Sequence, residues 1–436
     1  MRLPRTPWLV GVDGMGHAYS THLADLVREG RVPEAVVDRA VRRILRLKAM
    51  LGLLDQPYID ETIQEQVILA PAHREVALKV AHKSMVLLKN EGDLLPLSPT
   101  TKVALIGPLA DDRRAPLGCW HCVGRPEDVA TVLESIRAVW QGSVIYVQGC
   151  SIDDAIDQFD EAVESAQAAD VALLVLGEDA TMSGEARSRA HLGLPGQQQA
   201  LLEAVYAAGT PVVVVLMSGR PSAIPWMAEH VPAILQGWHG GIRAGPAVAD
   251  ILLGKVNPSG KLTVTFPRTE GQIPVYYAHK NTGRPVHGEG TLQFDEPYRS
   301  NYLDEPSAPL FPFGYGLSYT TFVCSDLKVE TPTVGAEDAL VATAVVTNTG
   351  DRAGEEIAQL YVRDLVGSVT RPVKELKGFQ RLSLEPGEQR TVRFEVPVSE
   401  LGFHGPTMEY IVEPGSFRAW IGPNSAGGLE GSFVVV

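Results

Sequence analysis

The sequence predicts a multi-domain chain: a short helical segment, then an α/β domain with a mainly parallel sheet, then an all-β sandwich. Three observations carry that expectation. Short aliphatic runs alternate with helical patterns between residues 72 and 253, as in a sheet covered by helices on both faces. From Thr321 onward, strand-like runs alternate apolar and polar positions. They are separated by Asn348-Thr-Gly350, Glu385-Pro-Gly387 and Glu413-Pro-Gly415, which is turn chemistry between antiparallel strands. Ahead of both, residues 20–54 carry a helical period with no strand around it.

Residues 20–54 read as two helices. In the second, Val37, Val41, Ile44, Leu45 and Leu51 share a stripe while Arg42, Arg43 and Arg46 face away. Pro33 suits its first turn and Gly52 its stop. Tyr58 to Ala70 is a polar connector closed by Pro71. A helix is predicted over 72–90, running into Met85-Val-Leu-Leu-Lys-Asn90. Strands over 102–107, 143–147, 171–176, 211–217 and 233–236 then alternate with helices over 127–139, 157–168, 196–208 and 244–253. Asn257-Pro-Ser-Gly-Lys261 is a turn. Residues 267–316, rich in Pro, Gly, Tyr and Phe, form a long ordered connector in which Tyr276, Tyr277, Tyr315 and Tyr319 serve docking. Strands at 340–348, 356–363, 389–396 and 415–421 make a β-sandwich of the immunoglobulin or fibronectin type. The expected domains are therefore 1–56, 57–266, 267–316 and 317–436.

Charge narrows the function classes. The 436 residues contain 38 Lys plus Arg against 52 Asp plus Glu, a net charge of −14. Without a basic stripe, nucleic acid is a poor partner, and so is an anionic membrane surface. Small neutral or cationic ligands remain. No apolar run approaches the roughly 20 residues that span a bilayer. Met1 to Val10 lacks the long apolar core of a convincing signal peptide, so localisation stays open. Cys119-Trp120-His121-Cys122 has C-x-x-C spacing, but no second Cys/His pair matches it, and the four cysteines are expected to be free thiols. No metal or other cofactor is implied.

The most informative stretch runs from Val171 to Arg189. A buried strand feeds a loop carrying Glu178, Asp179 and Glu185, with Arg187 and Arg189 behind. Parallel sheets place their chemistry in loops at the carboxyl ends of strands, so Glu185 is either a proton donor or one more solvated loop carboxylate. In Gly237-Trp-His-Gly-Gly241, Trp238 is a sugar platform or a packing residue, and Trp120 carries the same two readings. Ser218 lacks the Gly-x-Ser-x-Gly elbow of a nucleophile. Gly240-Gly-Ile-Arg243 lacks the G-x-G-x-x-G pattern of a nucleotide site.

Taken in order, several short stretches resemble glycoside hydrolase family 3, of the bacterial periplasmic β-glucosidase type. They are Asp38-Arg-Ala-Val-Arg-Arg-Ile-Leu-Arg-Leu-Lys48, Met50-Leu-Gly-Leu-Leu54, Ser84-Met-Val-Leu-Leu-Lys-Asn90, Leu94-Leu-Pro-Leu97 and Ile106-Gly-Pro-Leu-Ala-Asp111. Asn257-Pro-Ser-Gly-Lys-Leu262, Phe311-Pro-Phe-Gly-Tyr-Gly-Leu-Ser-Tyr319 and Arg371-Pro-Val-Lys-Glu-Leu-Lys-Gly-Phe379 continue the series. Each is weak alone; their order over the chain carries the resemblance. It implies a (β/α)₈ barrel, an α/β sandwich and a fibronectin type III-like domain. It also implies retaining hydrolysis of terminal β-D-glucosyl residues from a β-linked glucoside or oligosaccharide, with β-xylosides as the alternative substrate.

Retention needs two carboxyls about 5–5.5 Å apart, a nucleophile and an acid that then acts as base. The resemblance assigns the acid/base to Glu185, in Ser-Gly-Glu-Ala-Arg-Ser-Arg, ahead of Glu178. It makes Arg189 a residue that meets the sugar, shapes the loop or tunes the acid; Trp120 and Trp238 are candidate substrate contacts from their ring chemistry alone. It also shows a departure. The family nucleophile stands in a Ser-Asp-Trp or Ser-Asp-His setting, and neither tripeptide occurs among these residues. Residues 10–13 resemble a segment that follows that nucleophile, with Asp13 as a capping or turn residue. Residues 1–56 are thus expected to be a helical remnant of the barrel's closing part. The chain by itself is expected to be inactive, completed by a barrel-bearing chain or by a homo-oligomer. The alternative is a non-catalytic carbohydrate-binding or interaction remnant.

Overall fold

The structure is a computed structural model that describes residues 17–153, 156–286 and 298–436; Asp13 lies outside them. The chain divides into two compact units, residues 1–73 and 74–436.

The first unit holds the two expected helices, α1 (His17–Arg28) and α2 (Glu34–Met50). Pro33 is the extended N-cap of α2 rather than part of its first turn. Gly52, at φ 72°, takes the left-handed position just past the C-cap, as a stop should. No residue of α2 is buried. Val41, Ile44, Leu45, Leu47 and Met50 are 41–75% exposed, so the predicted apolar stripe is present and open.

The second unit begins with α3, which spans Pro71–Ser84 across the division. Here the prediction fails: the helix expected to run to residue 90 stops at Ser84, and Val86–Asn90 is strand β1. Leu-rich Val-Leu-Leu-Lys-Asn has no strong strand preference of its own. Pairing with a neighbour overrides local propensity, because β1 lies antiparallel to β6 with Val86 opposite Gln236.

The remaining strands are β2 (Val103–Ile106), β3 (Val144–Val147), β4 (Val171–Gly177), β5 (Val212–Met217) and β6 (Ala233–Gln236). They are mutually parallel and, with β1, form a mixed sheet of order β1-β6-β5-β4-β2-β3. β4 and β5 are buried along their whole length, which is why they read as unbroken aliphatic runs.

Alternate residues feed two cores. Leu173, Val175, Val213 and Val215 face α4 (Val132–Val139) and α8 (Ala244–Leu252). Leu174, Leu176, Val214 and Leu216 face α5 (Phe159–Gln167), α6 (Gln198–Ala207) and α7 (Pro225–His230). α7, a six-residue helix opened by a proline, is too short to show a helical period in the sequence.

β2 is flanked by β3 on one side and β4 on the other. The chain reverses direction across the sheet there, making a topological switch point, where open α/β sheets form a crevice at the carboxyl ends of their strands.

A second pair of sheets follows. One has five strands and the other three. The four predicted strands appear as β9 (Ala339–Asn348), β10 (Gly354–Asp364), β12 (Gln389–Pro397) and β15 (Gly415–Gly422). The short β8 (Thr333–Val334) and three longer strands escaped the reading. β7 (Phe322–Val329) is broken by a register shift between Ser325 and Lys328. β11 (Glu375–Leu384) is rich in polar residues and partly exposed, and β16 (Leu429–Val435) opens with the weakly patterned Glu430-Gly431-Ser432.

Three of the four tyrosines expected to dock make contacts, while Tyr276 is half exposed. Tyr315 donates to the Leu88 carbonyl at 3.1 Å, Tyr319 to that of Ile251 at 2.9 Å, and Tyr277 stacks on Phe313.

Candidate active site

The loop after β4 is built around a buried ion cluster. Glu178 follows the strand directly, its N–H held by the Met217 carbonyl at 2.8 Å, and its side chain is 1% exposed. Arg189 approaches Oε1 at 2.8 Å and Arg220 at 2.9 Å. Two guanidinium groups therefore neutralise one buried carboxylate, which burial would otherwise penalise heavily. Arg189 also donates to the Gly193 carbonyl at 3.2 Å.

Arg220 does more than pair. From the loop after β5, its Nη2 donates to the carbonyls of both Met182 and Arg187. Those two carbonyls bracket Ser183-Gly184-Glu185-Ala186, so one side chain clamps both feet of the segment that carries Glu185. The segment itself turns sharply. Gly184 has φ 115°, Ala186 has φ 59°, and the Arg187 N–H bonds back to the Gly184 carbonyl at 3.2 Å. Glu185 stands at the exposed tip.

Neighbouring loops press on this tip from either side. A methyl group at Gly184 would lie 2.1 Å from Cys119 Sγ and 3.4 Å from Trp120 Nε1, so only glycine admits the loop that follows β2. Trp120, against Gly184, is 69% exposed. Ser183 Oγ and His239 Nε2 are 3.0 Å apart, and a methyl at Gly219 would lie 2.1 Å from that Ser183 oxygen. Burial pushes the His239 imidazole below its ordinary range, against smaller opposing pulls from the Ala115 backbone, Glu178 and Asp179. The loop's exit is fixed by Gln198. Its amide accepts from the Gly177 N–H at 2.8 Å and donates to the carbonyls of Gly177 and Pro195, each at 2.9 Å.

The loops after β2, β4, β5 and β6 thus converge around Glu185, with the first two flanking the switch point. The result is an exposed carboxylate, Glu185, on a loop tip held by ion pairs and hydrogen bonds, with the exposed Trp120 against its neighbour Gly184. Among the described residues, no group of three or more His, Cys, Asp or Glu side chains is arranged to hold a metal. Cys119 and Cys122 are free and exposed.

The profile of the glycosyl hydrolase family 3 C-terminal domain matches residues 85–319, more than half of the chain. The chain belongs to glycosyl hydrolase family 3. A fibronectin type III-like profile matches residues 356–425 of this family 3 chain, within the pair of β-sheets. Its relatives include a periplasmic β-glucosidase of Salmonella typhimurium, 41% identical over 95% of the chain, and a β-xylosidase of Formosa agariphila, 39% identical over 92%. A crystal structure of the β-glucosidase of Listeria innocua in complex with glucose superposes with a TM-score of 0.85 at 38% identity, over 97% of the chain. The chain spans 56–57% of the length of each of these relatives.

Within the family 3 chain, Trp120 comes up against Gly184, the residue before Glu185, and Arg189 holds Glu178 of the same loop. Trp238 goes elsewhere. Its indole N–H donates to the Ser84 carbonyl at 3.1 Å and its ring packs edge-on against Phe266. Its neighbour His239 is the residue that reaches the loop. Arg220, His239 and Gln198 were not among the residues expected at the site. The signal for Arg220 was available: Ser218-Gly-Arg-Pro221 closes the strand next to β4, at the same carboxyl edge.

Proposed function

We propose that Glu185 is the general acid/base of a retaining exo-acting β-glucosidase, with the nucleophile carried by barrel residues outside these 436. The observation that carries the reading is the division of labour between two carboxylates in one loop. Glu178 is buried and accepts hydrogen bonds from two arginines, so it is a structural anchor. Glu185 is exposed on a loop tip that Arg220 clamps on both sides. In the first step the Glu185 carboxyl donates its proton to the leaving glycosidic oxygen as the nucleophile forms a glycosyl-enzyme. In the second, the resulting carboxylate takes a proton from the water that attacks the sugar's anomeric carbon, and the bond to the nucleophile breaks.

Arg189 shapes this loop by holding Glu178, and Trp120 offers its ring to a sugar's C–H face. Residues 1–56 belong to the closing helices of the barrel, and the open stripe on α2 is the face they would pack with. The domains of the reading are 1–56, 57–266, 267–316 and 317–436. β-Glucosides are the first substrate class, given the β-glucosidase relatives, and β-xylosides the second. A barrel-bearing segment or chain is the required partner.

The test is to join the 436 residues to the portion of the Salmonella β-glucosidase that the match leaves unspanned, and to assay 4-nitrophenyl β-D-glucoside. Glu185→Gln is expected to lower kcat by about 10²–10⁴-fold. A Glu185→Gln protein with unchanged kcat overturns the assignment, and a fusion without turnover in either form favours the carbohydrate-binding alternative.

A further inference from the structure

We propose that His239 is a positioning residue for the acid/base: through Ser183 it fixes the direction in which Glu185 leaves its loop. The inference rests on the reading of Glu185 as the proton donor. Arg220 holds the carbonyls of Met182 and Arg187, the two feet of the turn. Two points define an axis and leave rotation about it free. A third contact away from that axis is needed to aim the carboxyl, and Ser183 supplies it. Ser183 is buried, and its Oγ lies 3.0 Å from His239 Nε2.

His239 is itself aimed and enclosed. The preceding Trp238 has φ 55°, a left-handed conformation that a bulky residue adopts only when its surroundings impose it. The Trp238 indole N–H is tied to the Ser84 carbonyl at 3.1 Å, so this ring stays back while the chain turns and sends His239 toward the loop. There a methyl group at Gly118, in the loop after β2, would lie 3.2 Å from His239 Cδ2. One at Gly219, after β5, would lie 3.0 Å from His239 Nε2 and 2.1 Å from Ser183 Oγ. The imidazole is thus wedged between two glycine backbones with its Nε2 on Ser183.

The ring's other nitrogen brings no compensating bond. Nδ1 is buried, and the Ala115 backbone beside it forms no hydrogen bond of good geometry. An unpaired buried polar atom costs about 1–3 kcal/mol, so a residue kept for stability alone would be apolar here. Burial favours the neutral ring, and a hydroxyl pairs with either of its tautomers, as donor or as acceptor. The bond to Ser183 therefore holds whichever nitrogen carries the proton. Gly184 at φ 115° and Ala186 at φ 59° make the turn tight, so a shift at Ser183 passes to the carboxyl two residues on. A misplacement of about 1 Å in a reacting group can cost roughly 10²-fold in rate.

The barrel-completed protein tests this with two leaving groups, because kcat/KM for a phenyl β-glucoside depends on the general acid far more than that for a dinitrophenyl β-glucoside. His239→Leu, and independently Ser183→Ala, should lower the phenyl value by about 10–100-fold and leave the dinitrophenyl value near wild type. His239→Gln, whose amide replaces Nε2 as the partner of Ser183, should restore most of the loss. Added to Glu185→Gln, His239→Leu should change nothing further. In the 436-residue protein, hydrogen exchange across residues 183–187 should quicken in His239→Leu and Ser183→Ala but not in His239→Gln, a readout that needs no turnover. If His239→Leu does not fold, Ser183→Ala and His239→Gln decide. Equal losses on both substrates, a Gln variant as impaired as Leu, or exchange that stays at the wild-type rate would each overturn the proposal. A loss in Glu185→Gln with none in His239→Leu or Ser183→Ala overturns this proposal alone, whereas unchanged kcat in Glu185→Gln overturns the reading of Glu185 and this proposal with it.

Discussion

Arg220 is the keystone of the Glu185 loop, and Arg220→Met tests that role without a large change in volume. The substitution removes one of the two cations that hold Glu178, and both donors to the Met182 and Arg187 carbonyls. Breaking a buried ion pair outright costs about 3–5 kcal/mol. Here Arg189 remains 2.8 Å from the carboxylate, so the electrostatic loss is smaller, about 2 kcal/mol. The two carbonyls lie near the surface and can turn to water, so their bonds add about 1 kcal/mol between them. A total near 3 kcal/mol corresponds to a fall in Tm of roughly 5–10 °C. The assay pairs thermal unfolding with limited trypsin digestion. Arg187 is exposed, and its carbonyl is one of the clamp's acceptors. Releasing it should make cleavage after Arg187 the fastest cut in the variant. Arg220→Lys, which keeps the charge but not the fork of donors, should fall in between. A Tm within about 1 °C of wild type, with no faster cleavage at Arg187, refutes the clamp.

Three further outcomes follow from the same geometry. His239 is held below its ordinary value of 6.5 by burial. The unfolded chain takes up a proton that the folded ring resists, so stability should fall as pH drops below about 6.5, and Tm-against-pH curves should flatten over that window in His239→Gln. Glu355 is pushed up by burial, but hydrogen bonds and charge from Lys83 and Arg381 leave it lowered overall. Its contribution should be present above about pH 4.5 and vanish as pH falls through the folded value, so thermal melts should separate Glu355→Gln from wild type at neutral pH and merge in acid. The purified 436-residue polypeptide should not hydrolyse an aryl β-glucoside, and turnover that disappears in Glu185→Gln would contradict the placement of the nucleophile elsewhere.

Much of the fold was legible because tertiary burial and local pattern agree. The aliphatic runs of β4 and β5 are buried on both faces, so composition alone marks them. β1 was not legible, since its Leu-rich segment becomes a strand only by pairing with β6. β7 and β11 were hidden by a register shift and by solvent-facing polar residues. In the site, Glu185 could be singled out by its position after a buried strand and by its motif. Its distinction from Glu178 needed coordinates: both are loop glutamates in the sequence, and only the arrival of Arg220 from a segment some forty residues away, 42 by count, makes one an anchor. The split between Trp238 and His239 has the same origin, because adjacent residues leave the strand end toward opposite sides.

The most direct test of Glu185 as acid/base compares leaving groups in the protein completed by a barrel. A general acid matters little when the leaving group is a stable phenolate and greatly when it is not. In Glu185→Ala, hydrolysis of a weakly activated phenyl β-glucoside should fall by about 10²–10⁴-fold, while glycosylation by a dinitrophenyl glucoside stays near wild type. Added azide should then speed turnover and yield β-glucosyl azide, because azide needs no general base. Equal losses for both leaving groups with no response to azide, or this same signature in Glu178→Ala instead, would contradict the account.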